Sequence, residues 1–374
     1  MQVSVLQEHL AKGLDTIARA VATRPALPIL NNVLIATEDG RLKLAATNLE
    51  IAITARLGAQ VDVDGEISVP ARLLTDLVKS LPAQQIDLRL EGNKLKLHCN
   101  GSTWELPTIR ASDFPTIPEA DASSGVEVPA ATLRLLIDQV VFSAAKEDNR
   151  PVLMGVLTRF EGARATMIAA DGYRMAMCSA DLERPVDKPL SLLIPATALS
   201  EVGRIIRSED GTVYISVLDG RNQVIFHHNN VDVVSQLIEG KFPDVEQLIP
   251  KTTATSTRFT LLDFLAACKR AEIFARDVNG MTRFKISKDG EVIVNAQASD
   301  GGSGQEKLTA DVTGNNIDIA FNVRYLIDVL SVLQTERVVL ETNNTNAPGV
   351  VRPLQEDGNI DPNFIYLVMP MSVR

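Results

Sequence analysis

Apolar residues along this chain fall into two rhythms, and the order in which the rhythms succeed each other repeats. A helical spacing runs from Leu6 to Val21 and gives way to strand-like alternation at Val33-Leu34-Ile35. The same succession returns from Ala130 to Ala145 before Val156-Leu157-Thr158, and from Leu261 to Ala275 before Phe284-Lys285-Ile286. Helices place an apolar residue on one face every third or fourth position and strands every second, so each change of period marks a change of element. A second helix is predicted in every copy, entered from an apolar strand residue through Pro70, Pro195 or Asn322. Proline suits a helix start because the donor it lacks would be unpaired there, and asparagine can cap.

The copies recur at roughly 125 residues, a domain-sized interval. Pro28-Ile29-Leu30-Asn31-Asn32-Val33 matches Pro151-Val152-Leu153-Met154-Gly155-Val156, and Ala46-Thr47-Asn48-Leu49-Glu50 aligns with Ala170-Asp171-Gly172-Tyr173-Arg174. Turn-forming residues cluster from Asp113 to Gly125 and from Gly240 to Thr257, each stretch carrying Phe-Pro, at Phe114-Pro115 and Phe242-Pro243. The chain thus reads as three domains, 1–122, 123–250 and 251–374. The class is α+β, each copy two helices packed on antiparallel sheets.

Composition narrows the function. Hydrophobic residues make up 45% of the chain and aromatics 4%, so the cores are aliphatic and need no staples. Cys99, Cys178 and Cys268 are odd in number and far apart, which fits neither a disulfide framework nor zinc-ligand spacing and suits a reducing cytoplasm. No signal peptide or membrane-spanning run is visible. A net charge of -10 argues against a surface coated all over in nucleic acid, but not against a local basic face. The helical segments carry about 14 Lys and Arg against about 10 Asp and Glu. If the helices share the concave side of an arc, cations such as Arg24, Arg72, Lys79, Arg204, Arg207 and Lys269 would meet phosphates without reading bases.

Catalytic signatures are not apparent. His9, His98, His227 and His228 show no paired-ligand spacing, and His227 and His228 should point to opposite faces of a strand. Asp171 and Asp300 precede glycines and read as turn residues. Gly301-Gly302-Ser303-Gly304 reads as a flexible loop. Neither a cofactor nor a metal is expected. A hydrolase built on Asp171 or Asp300, and a three-domain peptide-binding scaffold that never encloses DNA, stay open as other classes.

Taken together, Arg24-Pro25 with Leu27-Pro28-Ile29-Leu30, Ala170-Asp171-Gly172-Tyr173-Arg174-Met175, Phe242-Pro243-Asp244 and Val368-Met369-Pro370-Met371 resemble the β sliding clamp family of bacterial DNA polymerase III. The resemblance covers the whole chain. It implies a non-catalytic processivity factor, a head-to-tail homodimer whose six domains form a ring round double-stranded DNA. The implied partners are the DNA polymerase III catalytic subunit, the clamp loader and other proteins bearing the clamp-binding motif. Arg24 and Arg150 are implied DNA contacts. A partner-peptide cleft is implied between the second and third domains, comprising Leu153, Ala170, Gly172, Tyr173, Arg174, Met175, Pro243, Gln247, Leu248, Pro348, Leu367, Val368, Met369, Pro370 and Met371. Met369 and Met371 would adapt to apolar partners, while Arg174 and Gln247 would hydrogen-bond a peptide amide. Tyr173 stands where well-known members carry His, and Gln247 where they carry Arg. The implied dimer contact sets Trp104 and Leu106 against Ile273 and Phe274 of the second copy.

Overall fold

Alternating apolar positions become antiparallel hairpins, and the turns between them explain how the copies align. After the strand Arg41–Thr47, the Asn48 side chain accepts the N–H groups of Glu50 and Ile51. After Arg164–Ala170, Asp171 accepts those of Tyr173 and Arg174. Leu49 at φ 77° therefore corresponds to Gly172 at φ 93°, and Glu50 to Tyr173. The alignment read from sequence was one residue out of step, because Ala46 resembles Ala170 while the turn geometry follows the capping side chain.

The computed structural model describes residues 1–23, 27–119, 125–147, 150–206, 210–218 and 220–372. The chain forms two compact units, residues 1–134 with 197–237 and residues 135–196 with 238–374. Six α-helices occur among the described residues: α1 Gln7–Ile17, α2 Ala71–Ser80, α3 Ala130–Val140, α4 Ala196–Ile205, α5 Leu261–Ala275 and α6 Val323–Val332. The sequence runs α1 on to Val21 and α3 on to Ala145, but both end earlier in a 3-10 turn, Ala18–Ala20 and Val141–Ser143. Tightening of the last turn is a common helix ending, and in α3 the β-branched pair Val140-Val141 disfavours another α turn. Asn322 caps α6 by accepting the Arg324 N–H.

In the first unit a five-stranded sheet ends on the edge strand Ser102–Pro107, and an eight-stranded sheet carries strands from two copies. The copies join where Ile51–Gly58 pairs with Val231–Gln236, Ile51 opposite Ser235 and Ala55 opposite Val231. Helix α1 buries Leu10, Leu14 and Ile17 against this sheet and α2. Gly13 makes the approach possible, since a Cβ there would lie 2.8 Å from Leu57. Across the seam, Arg56 bridges Glu38 and Asp232, Lys43 bridges Glu38 and Glu119, and Asp232 also meets His227.

In the second unit a nine-stranded sheet joins Arg174–Asp181 to Phe364–Val368, Arg174 opposite Val368 and Cys178 opposite Phe364. A four-stranded sheet ends on the edge strand Ser303–Thr309. Gly301 and Gly302 form the turn leading into that strand, whereas Ser303 and Gly304 lie within it, because ladder pairing to Ala296 and Gln297 extends the hairpin beyond the expected loop. All three cysteines are free and buried, and burial pushes the Cys178 thiol up to about 12.

One backbone contact recurs in every copy. The segment after the last strand donates an N–H to the strand that leads into the second helix: Ile109 to Ser68 O at 2.9 Å, Ile238 to Leu193 O at 2.9 Å, Met371 to Ala320 O at 2.8 Å. We call this segment a strap.

The seam network gives a pH-dependent expectation. Burial alone would raise the Glu38 pKa, but the hydrogen bonds and charges of Lys43 and Arg56 outweigh it and bring it to about 2. A depressed carboxylate stabilises the fold above its unfolded value of 4.5, and that contribution fades as pH falls towards 2. Glu38→Gln should therefore be less stable than the native protein at neutral pH, and the difference should shrink between about pH 5 and about pH 3 in urea titrations. A difference independent of pH would remove Glu38 from this role.

Candidate functional site

A buried apolar cluster forms in the second unit where the strands Arg174–Asp181 and Phe364–Val368 meet the segment around Phe242. Leu153, Ala170, Met175 and Leu367 share one buried cluster with Phe242, Val245, Val350 and Ile365. Val368 is fully buried in the seam strand, and Pro348 is half-buried just before Gly349–Leu354. Beside the cluster in the chain three large side chains stay in solvent, Tyr173 at 64% exposure, Leu248 at 57% and Met369 at 41%. Separated apolar side chains on a surface are ordinary, but each of these three follows closely on the cluster in the chain or is tied to it by backbone, Met369 donating to Tyr173 O and Leu248 to Val245 O. Pro243 opens the linker turn by accepting the Val245 N–H, and Gln247 in the short turn Glu246–Leu248 donates its amide to Asp244. The Gln247 side chain is exposed, and among the described residues only its amide nitrogen is engaged.

Arg174 departs from expectation. Its side chain is buried, Nε donating to Asp171 at 3.0 Å, Nη1 to Asp328, and Nη2 to the Phe142 carbonyl at 2.9 Å. Its guanidinium lies 4.5 Å from the Tyr325 ring centroid and 5.6 Å from that of Phe142. Burial opposes the charge, but Tyr366, Asp328 and Asp171 outweigh it and hold the pKa above its ordinary value. Three of its five N–H donors are thus engaged within the protein, which fixes the guanidinium beside the cluster and leaves at most two N–H groups for the peptide-amide contact read from sequence. Asp328, Phe142, Tyr325 and Tyr366 were missed by sequence reasoning. They come from three distant segments, and no local spacing could have joined them.

The Met369-Pro370-Met371 segment is likewise tied down. Met369 donates to Tyr173 O at 2.8 Å, and Met371 makes the third strap contact. The first-unit counterpart is Gln236 donating to Glu50 O at 3.0 Å.

The cations read as DNA contacts fall into different settings. Arg24 and Arg207 lie outside the described residues. Arg72 is exposed and 3.7 Å from Asp76, and Lys79 is paired with Asp15. Arg204 is three-quarters buried, holding Glu201 and donating to the Thr16 carbonyl, a bond that ties α4 to α1 and leaves little of it for a phosphate. Lys269 is exposed on α5. Arg150 is also exposed, its guanidinium 3.7 Å from where a Cβ on Gly172 would stand, so it borders the Asp171–Arg174 turn.

Of the dimer residues, Ile273 is 64% exposed and Phe274 36%, with Phe274 lying over Gly304 of the edge strand. Trp104 is half-buried on the other edge strand. Leu106 on that strand is 1% exposed. Trp104 and Leu106 share one face of the strand by alternation, but Leu106 is fully covered by its own core and has no side chain to offer a second copy, whereas Trp104 keeps part of its surface.

Asp171 and Asp300 act as turn caps, Asp300 accepting the Gly302 N–H. Among the described residues no cluster of three or more His, Cys, Asp or Glu could hold a metal.

Comparisons with known proteins agree along the whole length. Residues 1–118, 127–244 and 246–372 match the family models described as the N-terminal, central and C-terminal domains of the DNA polymerase III beta subunit. The beta sliding clamp of Pseudomonas aeruginosa is 32% identical over 375 residues, covering 100% of both chains, and that of Escherichia coli is 30% identical with the same coverage. A solved P. aeruginosa sliding clamp bound to griselimycin superposes with a TM-score of 0.92 at 32% identity, covering 100% of each chain. A Bacillus subtilis sliding clamp superposes at 0.94 with 24% identity and equal coverage, a likeness of fold.

The strap contacts change what truncation should do. Removing Met369 to Arg374 deletes two backbone hydrogen bonds, each contributing about 0.5 to 1.5 kcal/mol, so the melting temperature should fall measurably. Removing only Ser372 to Arg374 should leave it unchanged, and equal melting of both truncations in calorimetry would show that the strap adds no stability.

Proposed function

The chain belongs to the DNA polymerase III beta-subunit family, and we propose from that premise that two copies close head to tail around duplex DNA. Its role is that of a DNA sliding clamp in replication, a non-catalytic processivity subunit. The observation that carries the reading is the full-length match in three consecutive copies, in the order of the sequence repeat. We assign the clamp domains to 1–122, 123–250 and 251–374. The homodimer is a six-domain ring with the α-helices facing DNA, and binding is to phosphates, so the ring slides. Arg72, Lys79, Arg150 and Lys269, with Arg24 and Arg207, are the proposed DNA contacts, and Arg204 contributes chiefly by tying α4 to α1.

The buried apolar cluster of the second unit is the floor of the proposed partner cleft, with Tyr173, Leu248 and Met369 assigned to its rim. Its ligands are short apolar segments of the DNA polymerase III catalytic subunit, the clamp loader and other clamp-binding proteins. Tethering to DNA is then topological for the ring and chemical for the partner. A cytoplasmic location goes with replication, and no helix among the described residues is long and apolar enough to cross a membrane.

Closure uses two edge strands, Ser102–Pro107 of one copy and Ser303–Thr309 of the other, which end their sheets and leave backbone groups for a partner. Trp104, Ile273 and Phe274 flank them, and such a head-to-tail contact closes after two copies. The double change Ile273→Ala with Phe274→Ala should give monomer in sedimentation, and a dimer of undiminished stability would contradict this interface.

Loading the protein onto DNA separates a ring from an ordinary binder. It should be retained on a closed circle through high-salt washing and lost when the circle is linearised. Equal retention on both forms would favour the peptide-binding scaffold over the ring.

A further inference from the structure

A buried cation joins the cleft rim to α6. The Asp171 carboxylate uses one oxygen to accept the Tyr173 and Arg174 N–H groups and the other to accept Arg174 Nε. The guanidinium then reaches across to Asp328 on α6 and to the carbonyl of Phe142. It lies over Tyr325, whose carbonyl accepts the hydroxyl of the fully buried Tyr366 from the seam strand. The turn that Arg174 holds is the one whose Tyr173 carbonyl receives Met369.

Of the three groups that accept from Arg174, Asp171 lies in the turn itself and the Phe142 carbonyl in the 3-10 turn that follows α3, and neither is part of α6. Asp328 is different. It is the only carboxylate from α6 in the group, it is 42% exposed at its side chain, and it lines a cavity of about 720 Å³ that also takes in Asp171, Tyr173 and Arg174. The nearest competing cation on the same helix, Arg324, is held by Glu272 at 3.2 Å. Asp328 is therefore left to Arg174.

We propose that Asp328 is a positioning residue for the partner cleft: through Arg174 it fixes the Asp171–Arg174 turn, and with it Tyr173 and Met369, in the form that receives a peptide. The inference rests on reading the surface over the apolar cluster as that cleft. A carboxylate removed from this site leaves a buried guanidinium short of one charged partner, which favours rearrangement of the turn towards solvent. Preorganisation of the rim is lost even though no residue that touches the peptide has changed.

The test uses the full-length dimer and a fluorescein-labelled peptide bearing the clamp-binding segment of the DNA polymerase III catalytic subunit. Asp328→Ala and Asp328→Asn should weaken binding about 10-fold or more, while Asp328→Glu should recover to within about 2-fold of the native protein. Amide exchange at Met369 should quicken in the Ala and Asn variants, whereas Gln236, which makes the matching bond in the first unit, should keep its native rate. Native affinity in Asp328→Ala, or loss of affinity with the Met369 exchange rate unchanged, would overturn the proposal. Failure of the native protein to bind the peptide would instead count against the cleft itself.

Discussion

The architecture depends on one constraint, that the outer strand of each copy must not be left unpaired. An exposed strand edge presents unsatisfied N–H and C=O groups and invites association with any other edge. Twice the chain meets this by running one copy's strand into the next, Ile51–Gly58 with Val231–Gln236 and Arg174–Asp181 with Phe364–Val368. Where the pairing ends, the chain continues as a strap onto the strand leading into the second helix. Among the sheet edges left over are Ser102–Pro107 and Ser303–Thr309, the two proposed for dimer closure.

The two seams obey the same backbone rule with different side chains. In the first, the rim residues Glu50 and Gln236 are polar, the buried cluster of Ala52, Ile225 and Val234 is small, and further along the strands Arg56 and Asp232 are bound to Glu38 and His227. In the second, the corresponding rim residues are Tyr173 and Met369 over an aliphatic floor. Charged groups that satisfy one another offer nothing to an apolar segment and would cost desolvation to cover. The aliphatic floor gains from being covered, at roughly 1.5 to 3 kcal/mol for each large apolar side chain buried. Chemistry, not topology, is thus the ground on which we propose the second seam for partners.

Much of this was visible in the residues. The repeat, the α+β class and the six helix starts follow from periodicity and from Pro70, Pro195 and Asn322. Local signals also made Asp171 and Asp300 turn caps, because a cap reaches only two or three residues along the chain. What periodicity could not supply was which side chains spend their hydrogen bonds at home. Arg174 looks like a peptide donor until Asp328, 154 residues away, is found beside it. Leu106 looks like an interface residue until its strand is placed in a sheet, where its own core covers it. Met369 to Met371 looks like a loose end until the strap contact, two copies earlier in the pattern, shows what holds it. Long-range partners decide these cases, and a single sequence does not carry them.

Partner peptides, on the proposed function, bind at the second seam because there an apolar rim stands over a large apolar floor. Hydrogen exchange of the native dimer, with and without a clamp-binding peptide of the polymerase, tests it most directly. Protection should rise at Tyr173, Leu248 and Met369 and stay unchanged at their first-seam counterparts Glu50 and Gln236. Protection appearing equally at both seams, or only at the first, would contradict the account.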